Sequence, residues 1–252
     1  MIFHEFGTEG KPIIVLIHGC FQPWQSLLPI SKHFFDDYMV LIPALNGHTS
    51  EIESKFISIE QEAAEIESYI IKNYGQGIHA LCGLSMGGAI AYTILKNKRL
   101  KIDNLILDGA PLISSGKLMT KIMVNNYIKI AQKSKAKDKK TLDNFCKNFM
   151  PEKYLNDYLS FIEKTDEESI RNMLISVNEN RFSSDLSLKS TKLLYLHGTK
   201  SNEILAKKSG KLIAKYYPDA YVVCLKGMGH CECAIYEPDD WAEIVKDFIE
   251  NR

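Results

Sequence analysis

The chain has 252 residues, 45% hydrophobic and 25% charged, the proportions of a globular protein with a real core. Lys plus Arg and Asp plus Glu balance at 31 each, so charge points to neither nucleic acid nor an anionic membrane surface as a partner. No apolar run approaches the roughly 20 residues of a membrane span, and the start, MIFHEFGTEGK, lacks the pattern of a secretory signal.

Taken in chain order, short β-rich runs alternate with helical patterns, which predicts one α/β fold: a mostly parallel central sheet with helices on both faces. The expected strands are 2–6, 13–17 (IIVLI), 38–42 (YMVLI), 78–83 (IHALCG), 103–108 (DNLILD), 192–197 (KLLYLH) and 220–225 (AYVVCL). Ile59, Ala63, Ile66 and Ile70 share one helical face, and Ser58 with Gln61 forms a capping-box pattern ahead of it. The last helix shows the same spacing at Trp241, Ile244, Val245, Phe248 and Ile249, with Pro238 suited to its first turn.

One interval breaks the alternation. Residues 112–190 contain no convincing strand but four amphipathic patterns. Met119, Ile122, Met123 and Ile130 mark the first, and Leu142, Phe145, Cys146 and Phe149 the second. Tyr154, Leu155, Tyr158, Leu159 and Ile162 mark the third, and Ile170, Met173, Leu174 and Val177 the fourth. The lysine-rich KSKAKDKK (133–140) reads as a solvated connection. The expected organisation is a core of residues 1–111 and 191–252, with 112–190 as a helical insertion between two strands.

The chemistry-bearing stretch is CGLSMGGA (82–89). Gly83-Leu84-Ser85-Met86-Gly87 satisfies G-x-S-x-G between a buried strand and a helix, the setting in which a tight turn exposes a nucleophilic serine. Large neighbours would collide with such a turn, which accounts for the glycines. A serine hydroxyl needs a base, and His230 follows the last strand in the glycine-rich KGMGH, near the carboxyl edge of the sheet. The other six histidines read as structural or loop-shaping. A developing oxyanion needs two donors. Gly19 in HGCF allows a turn towards Ser85, so the expected donors are the backbone amides of Cys20 and Met86. His230, Cys231 and Cys233 supply only three clustered candidate ligands, so no metal is expected. GLSMGGA also lacks the lysine of a phosphate-binding loop.

These motifs together resemble the α/β-hydrolase family, in its single-domain, cap-bearing form, over essentially the whole chain. LIHGCFQPW is similar to the family's oxyanion loop, GLSMGG to its elbow, LILDGAP to the strand before the cap, and GMGH to its histidine loop. Two positions depart from the pattern. Asn46 stands where an aspartate is common, and Ser201, in HGTKSNE, where the triad acid is usual. Glu203, two residues on, is the nearest substitute, with Asp108 at the end of its strand as the alternative. Glu203 also suits a purely structural role, capping a helix over 203–216.

The resemblance implies a serine hydrolase that forms an acyl-serine, most simply on carboxylic esters of small or medium apolar acyl groups, without a cofactor. The same scaffold also serves acyltransferases, carbon–carbon hydrolases and cap-gated receptors for small ligands. The implied partner is a small acyl substrate. Six scattered cysteines without a signal peptide imply free thiols and a cytoplasmic location.

Overall fold

In the computed structural model, which describes residues 1–251, seven strands form one sheet. They are β1 (Ile2–Gly7), β2 (Ile13–Ile17), β3 (Met39–Ala44), β4 (Gly77–Leu84), β5 (Lys101–Asp108), β6 (Lys192–Gly198) and β7 (Tyr221–Leu225). Their spatial order is β1-β3-β2-β4-β5-β6-β7; β1 runs antiparallel to β3, and the remaining neighbours are parallel. The fold is therefore the mostly parallel α/β sheet that the alternating pattern predicts.

All five residues of IIVLI are buried, because β2 lies inside the sheet and both its faces are covered. Ile13, Val15 and Ile17 enter one apolar core while Ile14 and Leu16 enter the other, the period of two that a pleated strand imposes. β3 extends past its expected end to include Pro43. That proline pairs opposite Phe3 but lies beyond the β2 ladder, which stops at Leu41, so its missing N–H costs no bond there.

Helices α1 (Leu28–Ser31), α2 (Ile59–Tyr74) and α3 (Met86–Asn97) belong to the first half of the chain. Four more, α4 (Lys117–Lys135), α5 (Lys139–Asn148), α6 (Leu155–Ile162) and α7 (Glu167–Glu179), lie between β5 and β6. The set closes with α8 (Ile204–Tyr216), α9 (Glu232–Tyr236) and α10 (Pro238–Asn251). Apolar side chains of α2, α3 and α8 fill one core, and those of α1, α9 and α10 the other, so the sheet is covered on both faces. Ser58 Oγ accepts the amide of Gln61 at 3.1 Å, but Gln61 donates onward to Glu65, so the box is made on one side. Among the described residues no helix is long and apolar enough to cross a membrane.

Two expectations about residues 112–190 need correction. KSKAKDKK is mostly helix: α4 runs on to Lys135 and α5 begins at Lys139, leaving a three-residue link whose Asp138 accepts the amide of Thr141. The buried face of α4 is Thr120, Val124, Ile128 and Ala131, while Met119 and Ile122 remain 49% and 45% exposed. The helix is packed along a stripe that includes small and polar residues, and hydrophobicity alone misplaces it by about one residue. Side chains of α4, α5, α6 and α7 join the same apolar cluster as one face of the sheet. Hydrogen bonds also tie α7 inward: Ile59 N donates to Ser176 Oγ at 2.8 Å, and Asn180 Nδ2 to the carbonyl of Ala89.

Candidate active site

Ser85 stands between the end of β4 and the start of α3, with φ 53° and ψ −112°. A side chain rarely holds that conformation, which costs roughly 1–3 kcal/mol and survives only where the surroundings impose it. Here the imposing groups are visible. A Cβ on Gly83 would stand 2.3 Å from the Gly87 carbonyl oxygen, and one on Gly87 would stand 2.2 Å from that of Ile17. The turn is tight because β4, α3 and β2 meet there without room for a methyl group. The amide of Ser85 is fixed by donation to the carbonyl of Asp108 at 2.7 Å.

His230 arrives from the loop after β7. The carbonyl of Met228 accepts from the amides of Thr199 and Lys200, at 2.8 and 3.1 Å, which ties this loop to the end of β6. His230 Nε2 lies 2.8 Å from Ser85 Oγ, and its Nδ1 lies 2.5 Å from Glu203 Oε1. Glu203 is fully buried and its second oxygen accepts the amide of Gly198 at 2.7 Å. Burial pushes this carboxyl up, but the bond and charge of His230, with the Gly198 amide, outweigh it and hold the group below its ordinary range. Glu203 closes a 3-10 turn from Ser201 to Glu203 and is the residue before α8; its side chain makes no bond to the helix end. The helix thus starts one residue later than the sequence suggests, and the carboxylate faces the strand and the histidine. Ser201 is exposed.

Asp108 is also buried, but its Oδ2 accepts from Trp241 Nε1 at 3.0 Å. Burial first, and then the charge of Glu203, push its carboxyl up to about 7, against the pull of His230 and the Trp241 bond. The structure brings Ser85, His230 and Glu203 into one hydrogen-bonded line and leaves Asp108 beside it on another partner.

Cys20 and Met86 line the same cavity as Ser85 and His230. The thiol of Cys20 contacts Met173 Sδ at 3.8 Å, and burial pushes it up to about 12, which leaves it a poor nucleophile. Cys231 and Cys233 diverge: their thiols approach the carbonyls of Asp108 and Glu237 respectively.

Two histidines, His18 read as loop-shaping and His48 as structural, shape this site from behind. His48 Nε2 accepts the amide of Phe21 at 3.2 Å, and His18 Nε2 accepts that of Leu45 at 3.3 Å. Each ring uses Nδ1 on a carbonyl, that of Asn46 for His48 and that of Gly19 for His18. Both rings must therefore be neutral. Burial lowers His18 to about 4; burial, with His18 as a neighbour, lowers His48 to about 3. Phe21, held by His48, has φ 61° directly after Cys20. Asn46, where the resembled family often has aspartate, donates from its backbone and side-chain nitrogens to the buried Glu62.

The cavity holds about 260 Å³, more than the ~150 Å³ that accommodates benzene in an engineered protein core. Met123, Tyr127, Phe149, Leu174 and Val177, all from residues 112–190, form its apolar wall. None of the described residues lining it is Asp, Glu, Lys or Arg. Tyr127 and Asn178 are among the polar residues on this lining, a feature that helical periodicity cannot single out.

Comparison with known proteins adds to this geometry. The profile of the serine aminopeptidase S33 family matches residues 9–239. A Haemophilus influenzae protein provisionally named an esterase/lipase is 21% identical, over 99% of this chain and 87% of its own. An AB hydrolase superfamily protein of Gibberella zeae is 25% identical over a shorter stretch, covering 43% of this chain and 39% of its own length. Among solved structures, an esterase from Exiguobacterium antarcticum superimposes with a TM-score of 0.77 at 16% identity, covering 99% of this chain and 95% of that one.

Proposed function

The chain belongs to the serine aminopeptidase S33 family of α/β hydrolases, and from that membership we propose that it is a serine hydrolase of uncharged carboxylic esters. The observation that carries this reading is the line from Ser85 Oγ through His230 to Glu203, at 2.8 and 2.5 Å, opening on an apolar cavity.

In the proposed cycle His230 Nε2 takes the proton of Ser85 as Oγ attacks the ester carbonyl carbon. Glu203 holds the ring with Nδ1 protonated and stabilises the imidazolium that forms. The amides of Cys20 and Met86 receive the oxyanion. Collapse of the tetrahedral adduct breaks the bond to the alcohol, which leaves with the proton returned by His230. Water then repeats the sequence on the acyl-serine and frees the acid. The strained turn at Ser85 supports the role of nucleophile, because such strain persists where function uses it. Helices α4 to α7 act as a cap that walls the acyl pocket.

The choice of ester over peptide rests on charge. An aminopeptidase must bind a free ammonium group, and an unpaired charge in an apolar cavity is costly. The lining supplies no carboxylate to meet it. The name of the Haemophilus relative favours the same bond. A fluorophosphonate should label Ser85, and the protein should hydrolyse para-nitrophenyl esters but not aminoacyl para-nitroanilides; the labelling and the ester hydrolysis should both vanish in Ser85→Ala. Labelling of a different serine, or faster turnover of the anilides, would overturn the reading.

A further inference from the structure

Asn178 lies near the end of α7, one turn beyond Leu174, on the cavity that holds Ser85. Its Oδ1 accepts three hydrogen bonds: from Ser115 N at 2.7 Å, Ser115 Oγ at 2.8 Å and Ser114 Oγ at 3.1 Å. Because one of these donors is a backbone amide, the carbonyl end of the side chain must face Ser115. The amide nitrogen is therefore turned the other way, and among the described residues it donates to nothing. A planar amide locked at one end and unpaired at the other is a preorganised donor.

We infer that Asn178 is a specificity-determining residue, and that it selects uncharged esters whose acyl chain carries an oxygen acceptor, an ether or a ketone, away from the scissile carbonyl. This rests on the hydrolase reading above and narrows its substrate class. The physical reason is the cost of an unmade bond. A plain alkyl chain filling the cavity would strip water from the amide nitrogen and give it no partner. An ether or carbonyl oxygen at the same depth replaces that water. An anionic acceptor would also pair with the donor, but the uncharged lining offers no countercharge for it. Thr120 and Ser115, also on the lining, have hydroxyl protons committed to the Gly116 carbonyl and to Asn178, so of these three side chains Asn178 alone has an uncommitted donor.

The test uses para-nitrophenyl esters of equal chain length: a hexanoyl ester, an analogue with a mid-chain methylene replaced by ether oxygen, and one with a mid-chain ketone. The wild-type protein should prefer an oxygenated ester by about tenfold in kcat/KM, carried mainly by KM, as one recovered hydrogen bond warrants. Asn178→Asp keeps an acceptor for Ser114 and Ser115 but removes the donor. It should lose the preference, with Ser85 still the residue that fluorophosphonate labels. A structural role would lower all three esters alike and leave their ratio unchanged. Equal kcat/KM for the three esters in the wild type, or a ratio unaltered in Asn178→Asp, would overturn the inference with the hydrolase reading intact. Absence of labelling at Ser85 would bring down that reading and this inference with it.

Discussion

The end of β4 and the helical segment between β5 and β6 face each other across one cavity, yet they are built on opposite terms. Around Ser85 the backbone itself is the constraint: carbonyl oxygens stand 2.2–2.3 Å from where a Cβ of Gly83 or Gly87 would sit. The helices α4 to α7 present side chains instead, with Leu118, Met119 and Ile122 exposed to solvent and Met123, Tyr127 and Asn178 turned to the cavity. Backbone crowding tolerates no substitution, whereas a helix face tolerates many. The proposed chemistry is thus anchored where the chain cannot vary, and the proposed selectivity where it can.

The comparison is tested first at its rigid end. Ser85→Ala should reduce ester turnover by roughly 10⁶-fold, since the groups of such a relay act as a unit, with little change in melting temperature. Residual turnover within a hundredfold of wild type would break the assignment. Next comes the acid. Glu203→Gln should lower kcat by roughly 10⁴-fold, while Asp108→Asn, which disturbs the Trp241 bond, should act mainly on stability. Paired kinetic and thermal measurements on the two variants decide it, and the reverse ranking would transfer the role to Asp108.

Gly87→Ala should destabilise the fold by about 3 kcal/mol or more, because the clash is with backbone on a neighbouring strand and nothing there can rotate away. A melting temperature near that of wild type would show the elbow to be softer than argued. The two buried histidines give a pH dependence. Their folded values, about 4 for His18 and about 3 for His48, lie below the ordinary 6.5. The stability they contribute is therefore complete above about pH 6.5 and is lost as pH falls through 4 and then 3. Thermal melts across that window should show the decline, and His48→Gln, which keeps an acceptor near the Phe21 amide, should make it shallower. The smallest effect belongs to the solvent-facing side of α4. Leu118→Ser, at 75% exposure, should change stability by less than about 0.5 kcal/mol and leave ester kinetics unmoved.

What the sequence determined by itself is the part governed by short-range rules. The period of two in IIVLI, the period of 3.6 in α2 and α10, and the glycines around Ser85 are each legible within a dozen residues. Backbone sterics and burial act at that range, so the sheet, its helices and the elbow follow from the string. Tertiary structure decided the rest. Ser201 and Glu203 both lie on the loop after β6, and it is the join of Met228 to Thr199 and Lys200 that brings His230 to the Glu203 carboxylate. The buried stripe of α4 passes through Thr120 instead of Met119 because of what packs against it. Asn178 becomes a one-ended donor because Ser114 and Ser115, more than sixty residues earlier, occupy its oxygen. Hydrogen bonds and packing of this kind depend on which residues meet across the fold, and local periodicity carries no record of those meetings.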